Sequence, residues 1–241
     1  MPVSHQMNQM CTDAGRNGVA PKVIVLKTQY EFMKNYNYLV VDPGSRQAIV
    51  VDPAWQVEII EQALMESEAR LSGILITHSH PDHVHLATPL AETYDCPIWM
   101  SKEEISASGF SARRLVGIGA TPWNVGRIAI EPIFTPGHTP GSTCYLIGDN
   151  LFTGDVLFAE GCGICPDIEA AHAMFASLEY LKARLKPQTR IFPGHSYGKP
   201  PGQILSRLLR ENIYLQFPDK RSFAAFRLRN GQNTARMFNF S

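Results

Sequence analysis

Five histidines and two aspartates with the makings of chemistry fall in four short segments: His78-Ser79-His80-Pro81-Asp82-His83, Thr135-Pro136-Gly137-His138, Thr153-Gly154-Asp155 and Pro193-Gly194-His195. Neutral imidazole and carboxylate together hold divalent transition metals such as zinc and leave coordination positions open for water. Seven such donors are too many for one tetrahedral ion. They suit two ions with a carboxylate between them, as in two-metal sites whose ions stand about 3.5 to 4 Å apart. Where a strand runs into a loop, residues i and i+2 point the same way, so His78 and His80 can share one ion while Asp82 and His83 turn towards a second. Two such ions would make hydroxide available from a shared water near neutral pH, with Asp82 orienting it and taking up its proton. The chemistry expected is hydrolysis.

Each residue taken alone has a plainer role. A buried histidine is usually a satisfied core residue, and Asp82 behind Pro81 could cap the helix that Val84 and Leu86 begin. The grouping is what carries the argument. His85 and His172 fall outside it and read as packing residues. Cys162-Gly163-Ile164-Cys165 has no second CxxC and reads as a tight structural turn close to Asp155. Gly137 and Gly141 form no phosphate loop, since neither the lysine nor the spacing follows.

The elements that must bring these segments together are legible as an α/β alternation. Val23 to Leu26, Tyr38 to Val41 and Ala48 to Val51 read as strands separated by Asp-Pro turns. Val57 to Leu71 reads as an amphipathic helix carrying Ile60, Ala63, Leu64 and Leu71, and Gly73 to Thr77 as a buried strand. Further strands are expected near Arg127 to Phe134, Thr143 to Ile147, Leu151 to Thr153 and Arg190 to Phe192, with a helix over Ile168 to Leu185. After Pro200 and Pro201 a helix carries Ile204, Leu205, Leu208 and Leu209, and a basic segment with Phe223 and Phe226 follows. Each donor segment therefore begins a loop at the end of a strand, where functional side chains converge.

The composition bounds the rest. With 241 residues, 44% of them hydrophobic, the chain can build a sizeable core. Residues 1–20 show no apolar period and read as a disordered tail, leaving 21–241 as one domain that includes a C-terminal helical segment over 202–241. His5 and Cys11 lie in that tail. The 22 basic and 22 acidic residues cancel, which argues against a nucleic-acid partner. From Ser196 onward, however, eight Lys or Arg face two Asp or Glu, a local net of +6. No apolar run approaches the roughly 18 to 20 residues that span a bilayer, and five cysteines, an odd number, suit a reducing cytoplasm.

The segments HSHPDH at 78–83, TPGHTPGS at 135–142, FTGD at 152–155 and PGH at 193–195 resemble the metallo-β-lactamase superfamily. The run from Leu151 to Gly163 and the helix leading into GHSY resemble its glyoxalase II-like branch of thioester hydrolases, and within it the zinc-dependent hydrolases of bacillaene-type polyketide clusters. The resemblance implies a four-layer αββα sandwich. It also implies two zinc ions, the first held by His78, His80 and His138, the second by Asp82, His83 and His195, with Asp155 bridging them. The activity implied is hydrolysis of acyl thioesters, with the acyl group carried by an acyl carrier protein in polyketide biosynthesis. A thiol of pKa about 8.5 leaves as thiolate without a strong general acid, and no such acid is evident here. Tyr197, Arg221 and Arg227 are candidate substrate contacts. The basic segment, with Arg207, Arg210, Lys220 and Arg229, is expected to receive the acidic carrier. Two alternatives stand beside it: hydrolysis of lactoylglutathione or a small lactone, which keeps the same centre with a different pocket, and a mononuclear-iron persulfide dioxygenase, whose family uses fewer of these ligands. The 46 residues after His195 are fewer than the helical glutathione-binding extension of glyoxalase II needs.

Overall fold

The computed structural model describes residues 20–230; the tail expected over 1–20, with His5 and Cys11, lies almost wholly outside the described residues, as does the end of the 202–241 segment. Strands β1 (Lys22–Tyr30), β2 (Met33–Val41) and β3 (Gln47–Val51) form an antiparallel meander. Helix α1 (Val57–Glu66) crosses over to β4 (Arg70–Leu75), which pairs parallel with β3. After α2 (Pro81–Val84) and α3 (Ala87–Tyr94), β5 (Ile98–Ser101), α4 (Lys102–Ser108) and β6 (Leu115–Ile118) complete a six-stranded sheet in sequential order. The second sheet also has six strands: β7 (Trp123–Val125), β8 (Ile128–Phe134), β9 (Thr143–Ile147), β10 (Asn150–Gly154), β11 (Arg190–Pro193) and β12 (Gln203–Ile204). Between β10 and β11 runs α5 (Ile168–Arg184), and α6 (Leu205–Glu211) and α7 (Lys220–Arg227) close the described chain.

Period-two alternation decides which face of each strand meets which layer. On β2 and β3, Tyr36, Tyr38, Val40, Ile49 and Val51 face Ile128, Ile130, Tyr145, Phe152 and Phe192 of the second sheet. Their neighbours Leu39, Val41, Ala48 and Val50 face outward, onto Ile60 and Leu64 of α1 and Leu90 of α3. On the far side, Ala171, Met174, Leu178 and Leu181 of α5 cover Ile133, Cys144, Leu151 and Ile191. Helix, sheet, sheet and helix thus stack in four layers, as the sequence resemblance implies.

Two local expectations are corrected, and one stretch holds elements to which the sequence reading assigned nothing. The helix expected to reach Leu71 ends at Glu66, because the chain reverses at Glu68, whose φ is +48°; Leu71 belongs to β4 and is fully buried there. The segment from Pro97 to Val125 holds β5, α4, β6 and β7, for which no pattern was apparent; strands of three or four residues are too short to display a period. Ile204 lies in β12, antiparallel to β11, and the helix starts one residue later.

Phe152 and Phe192 stack with ring centroids 5.3 Å apart, and the Tyr38 ring lies 5.3 Å from that of Phe152. Phe152→Ala should therefore open a cavity between the sheets and cost about 3–5 kcal/mol, whereas Ile213→Ala on an exposed turn should change stability by less than about 0.5 kcal/mol. Urea midpoints at unchanged m-value check both.

Candidate metal centre

Every donor segment sits at the carboxyl end of a strand. His78 and His80 follow β4, Asp82 and His83 lie in the short α2, and His138, Asp155 and His195 follow β8, β10 and β11. β9 stands antiparallel between β8 and β10, and β11 runs parallel to β10, so these three strands end on one edge. The sheets are joined there by backbone bonds: Thr143 donates to Thr77 O at 2.9 Å and Tyr36 to Gly194 O at 2.8 Å. Gly194 is dictated by crowding, since a Cβ there would stand 2.5 Å from His83 Cε1 and 2.8 Å from Asp155 Oδ1.

The seven side chains converge into one cluster. His80 Nδ1 lies 3.0 Å from His78 Nε2 and 3.0 Å from His138 Nε2. In a second group, Asp82 Oδ2 lies 3.1 Å from His195 Nε2 and 3.7 Å from His83 Nε2. Asp155 faces both: Oδ2 is 3.6 Å from His138 Nε2, while Oδ1 is 3.5 Å from His83 Nε2 and 3.6 Å from His195 Nε2. Ligands about 2.0–2.1 Å from a tetrahedral ion stand roughly 3.3 Å from one another, and these separations scatter around that value. Asp82 does not act as a cap; the N-cap position of α2 is His80, with no side-chain cap bond.

On four of the five histidines the far ring nitrogen is anchored. His78 Nδ1 meets Thr77 Oγ1 at 3.0 Å, His83 Nδ1 meets Asp52 Oδ2 at 2.9 Å, His138 Nδ1 meets Ile164 O at 2.8 Å and His195 Nδ1 meets Lys34 O at 2.8 Å. Such outer contacts put the proton on Nδ1 and turn the Nε2 lone pair inward. Inside the cluster, buried His83 Nε2 and Asp155 Oδ1 have no hydrogen-bond partner. Orphaned polar atoms in a buried place are costly unless something else satisfies them, and a cation would do so.

The electrostatics agree. Burial, followed by the neighbouring imidazoles, holds the His78 pKa well below the ordinary histidine value, and burial with His138 lowers that of His80, so both keep free lone pairs. At the second group burial works the other way from the charges: the carboxylates of Asp155, Asp52 and Asp82 outweigh it and raise His83 to about 10. For Asp82 burial raises the pKa, but His195, His83 and Asn35 together hold it well below the usual carboxylate range. The cluster is a sink for positive charge, which a divalent ion would supply. Three overlapping sets of donors are placed to hold one: His78, His80 and His138; His78, His83 and Asp155; and Asp82, His83 and His195.

Residues 33–195 match the family described as the metallo-beta-lactamase superfamily. The chain belongs to that superfamily. It is 44% identical over 218 residues to the "Probable polyketide biosynthesis zinc-dependent hydrolase BaeB" of Bacillus velezensis, covering 89% of this chain and 96% of that one. It is 38% identical over 166 residues to a hydroxyacylglutathione hydrolase of Alkalilimnicola ehrlichii, covering 69% of this chain and 63% of that one. A solved metallo-β-lactamase from Staphylococcus aureus shares the fold with a TM-score of 0.80 at 21% identity, covering 89% of this chain and 68% of that one.

Residues read from the sequence as bystanders are placed accordingly. His85 packs on Trp55, 5.0 Å between ring centroids, and His172 on α5 belongs to none of the donor sets. The Cys162 loop walls the site through the Ile164 carbonyl that holds His138. Burial pushes the Cys165 thiol up to about 11 and the Cys162 thiol higher still, so both sulfurs stay protonated at neutral pH. Tyr197 lies half-buried against Phe158, whose ring in turn faces His195. Arg221 is exposed in the first turn of α7. Of the three candidate substrate contacts, the reading of Arg227 is corrected. Its side chain is buried and donates to the Tyr214 hydroxyl at 2.9 Å, so it packs α7 onto the body and does not offer a surface charge.

What the sequence did not reveal is the layer behind the donors. Asp52 accepts from Thr77 N at 2.8 Å and from Thr77 Oγ1 at 2.6 Å besides holding His83. Its place after the apolar run Val50-Val51 parallels that of Asp155 after its own strand, but Asp52-Pro53 reads as a turn. Elemental analysis by plasma mass spectrometry should find zinc in the wild type and little in Asp155→Ala, while His85→Ala and His172→Ala should keep the wild-type content. Full zinc in Asp155→Ala would contradict its central position.

Proposed function

We propose that this chain, a hydrolase of the metallo-β-lactamase superfamily, cleaves acyl thioesters, and that its substrates are acyl groups on an acyl carrier protein in polyketide biosynthesis. The observation that carries the centre is the placement of Asp155, one oxygen towards each triad. His78, His80 and His138 would hold one zinc, Asp82, His83 and His195 the other, and Asp155 both. Zinc bound there supplies Lewis acidity towards an acyl carbonyl and brings the pKa of coordinated water near 7. The similarity to BaeB, over 96% of that protein, supports the polyketide setting.

The chain's own residues fill the remaining roles. Asp82 keeps an ionised Oδ2 that accepts from Asn35 Nδ2 at 3.1 Å, leaving acceptor capacity to orient an attacking water. Burial raises the Tyr197 pKa, followed by the charge of Asp155, so its hydroxyl stays a donor at the rim. No strong general acid is needed for a thiolate leaving group, which favours a thioester over an amide. Beside His138 lies a cavity of about 400 Å³ whose wall includes Pro136, Pro140, Pro166, Ala170 and Ala173, an apolar place for an acyl chain. For the carrier, the basic segment offers, among the described residues, the exposed Arg210, Lys220 and Arg221, because Arg207 and Lys199 are paired with Glu211 and Arg229 lies over the Phe226 ring.

A mass-spectrometric panel of acyl thioesters on carrier protein, coenzyme A and glutathione, with a small lactone, tests the reading. Carrier-bound thioester should turn over with the highest kcat/KM; preference for lactoylglutathione or the lactone would replace the substrate, and oxygen uptake with bound iron would replace the reaction. Two variants refine it. Ala173→Phe should shorten the preferred acyl chain while sparing acetyl thioesters. The triple exchange of Arg210, Lys220 and Arg221 to Glu should raise KM for carrier-bound substrate by about tenfold or more, and that for a short free thioester by less than about twofold. Equal effects on both substrates would remove the carrier-docking role.

A further inference from the structure

The two donor triads are held by different surroundings. Around His78, His80 and His138 the contacts converge on Glu104, in the first turn of α4 and 1% exposed. Its Oε1 accepts from Ser79 N at 2.9 Å and Ser79 Oγ at 2.6 Å, and its Oε2 accepts from Thr139 Oγ1 at 2.6 Å and Gly141 N at 3.0 Å. Ser79 lies between His78 and His80, and Thr139 follows His138. One carboxylate therefore fixes both loops that supply the three nitrogens. The contact is as close as backbone allows, since a Cβ at position 141 would stand 2.1 Å from Glu104 N. Ser101 locks the other end: its Oγ accepts from Glu104 N at 3.1 Å and donates to Gly141 O at 2.6 Å.

The other triad is served from β2. Asn35, also 1% exposed, donates from Nδ2 to Asp82 Oδ2 at 3.1 Å and to Asp82 O at 2.8 Å, while its Oδ1 accepts from Trp55 Nε1 at 2.7 Å. The preceding residue, Lys34, contributes the carbonyl that anchors His195. Neither set of contacts reaches across to the other triad.

We propose that Glu104 and Asn35 are positioning residues, each setting the affinity of one metal site independently of the other. The assignment rests on the two-ion reading above. In Glu104→Gln one carboxylate oxygen becomes an NH2 group, and in either orientation of the amide that group faces a backbone N–H that can only donate, Ser79 N or Gly141 N. Donor against donor must push one of the two loops away, which spoils the His78, His80 and His138 set and leaves the Asp82, His83 and His195 set in place. In Asn35→Ala the Asp82 carboxylate loses its tether.

Chelator-stripped protein titrated with Co2+ and followed by visible absorption resolves the two uptake steps, and His138→Ala and His195→Ala identify which step is which. Glu104→Gln should weaken the His138-dependent step by about 10- to 100-fold and the His195-dependent step by less than about threefold, with Asn35→Ala giving the reverse. Ser79→Ala removes a single donor to Glu104 and should move the same step in the same direction by a few-fold, which keeps the question open to measurement should Glu104→Gln fail to fold. Equal weakening of both steps in Glu104→Gln, or of neither, would overturn the positioning assignment while leaving the two-ion centre standing. A wild type that takes up no cobalt would overturn the centre and this assignment together.

Discussion

The arrangement turns on excess negative charge in a buried place. Asp52 and Asp155 lie buried and Asp82 half-buried among imidazoles, and burying ionised carboxylates is expensive unless cations or hydrogen bonds meet them. Asp52 is satisfied by Thr77 and His83, and Asp82 is met by Asn35 and His195, but Asp155 Oδ1 is left without a hydrogen bond. That residual demand is local and directional, because the anchored imidazoles aim their free nitrogens at the same point. Structural zinc sites close with four ligands, and here seven candidate donors surround the space.

The sandwich exists in the form it does because that point lies at its edge. A strand buried on both faces must end somewhere, and the loop that follows is the first place where polar side chains can be exposed to a ligand. β4, β8, β10 and β11 all end beside the cluster; the segment after β4 hands over four donors and each of the others one. Small residues make the crowding tolerable: Gly194 and Gly141 sit where any side chain would collide with His83 and Asp155 or with Glu104. Helices α1 and α3 on one side and α5 on the other contribute no donor, yet they cover the outer faces that let the strands stay apolar.

The donors were legible in the sequence and their scaffolding was not. Histidine is rare enough, and the HxHxDH run dense enough, for five of them near predicted strand ends to mean metal. Asp52, Asn35 and Glu104 carry no such signature. Asp52 and Glu104 act on backbone N–H groups, hydroxyls or a ring nitrogen and Asn35 on the carbonyl and carboxylate of Asp82, all 25 or more residues away, and nothing local marks a lone carboxylate or amide as buried. The same holds for Arg227, which one-dimensional charge counting places on the surface and which packing places under α7. The α/β alternation was legible from the residues, and the order of the four layers came from the family resemblance. The short strands between Pro97 and Val125 were not legible, because pairing with their neighbours, more than their own composition, makes them strands.

The triad of His78, His80 and His138 draws two members from the exit of one sheet and the third from the other. An ion seated there is consequently a rivet through the sandwich as well as a reagent. The free energy of its uptake would be shared with the cohesion of the two halves, so a chain stripped of it would lose mechanical integrity along the edge where its donors meet.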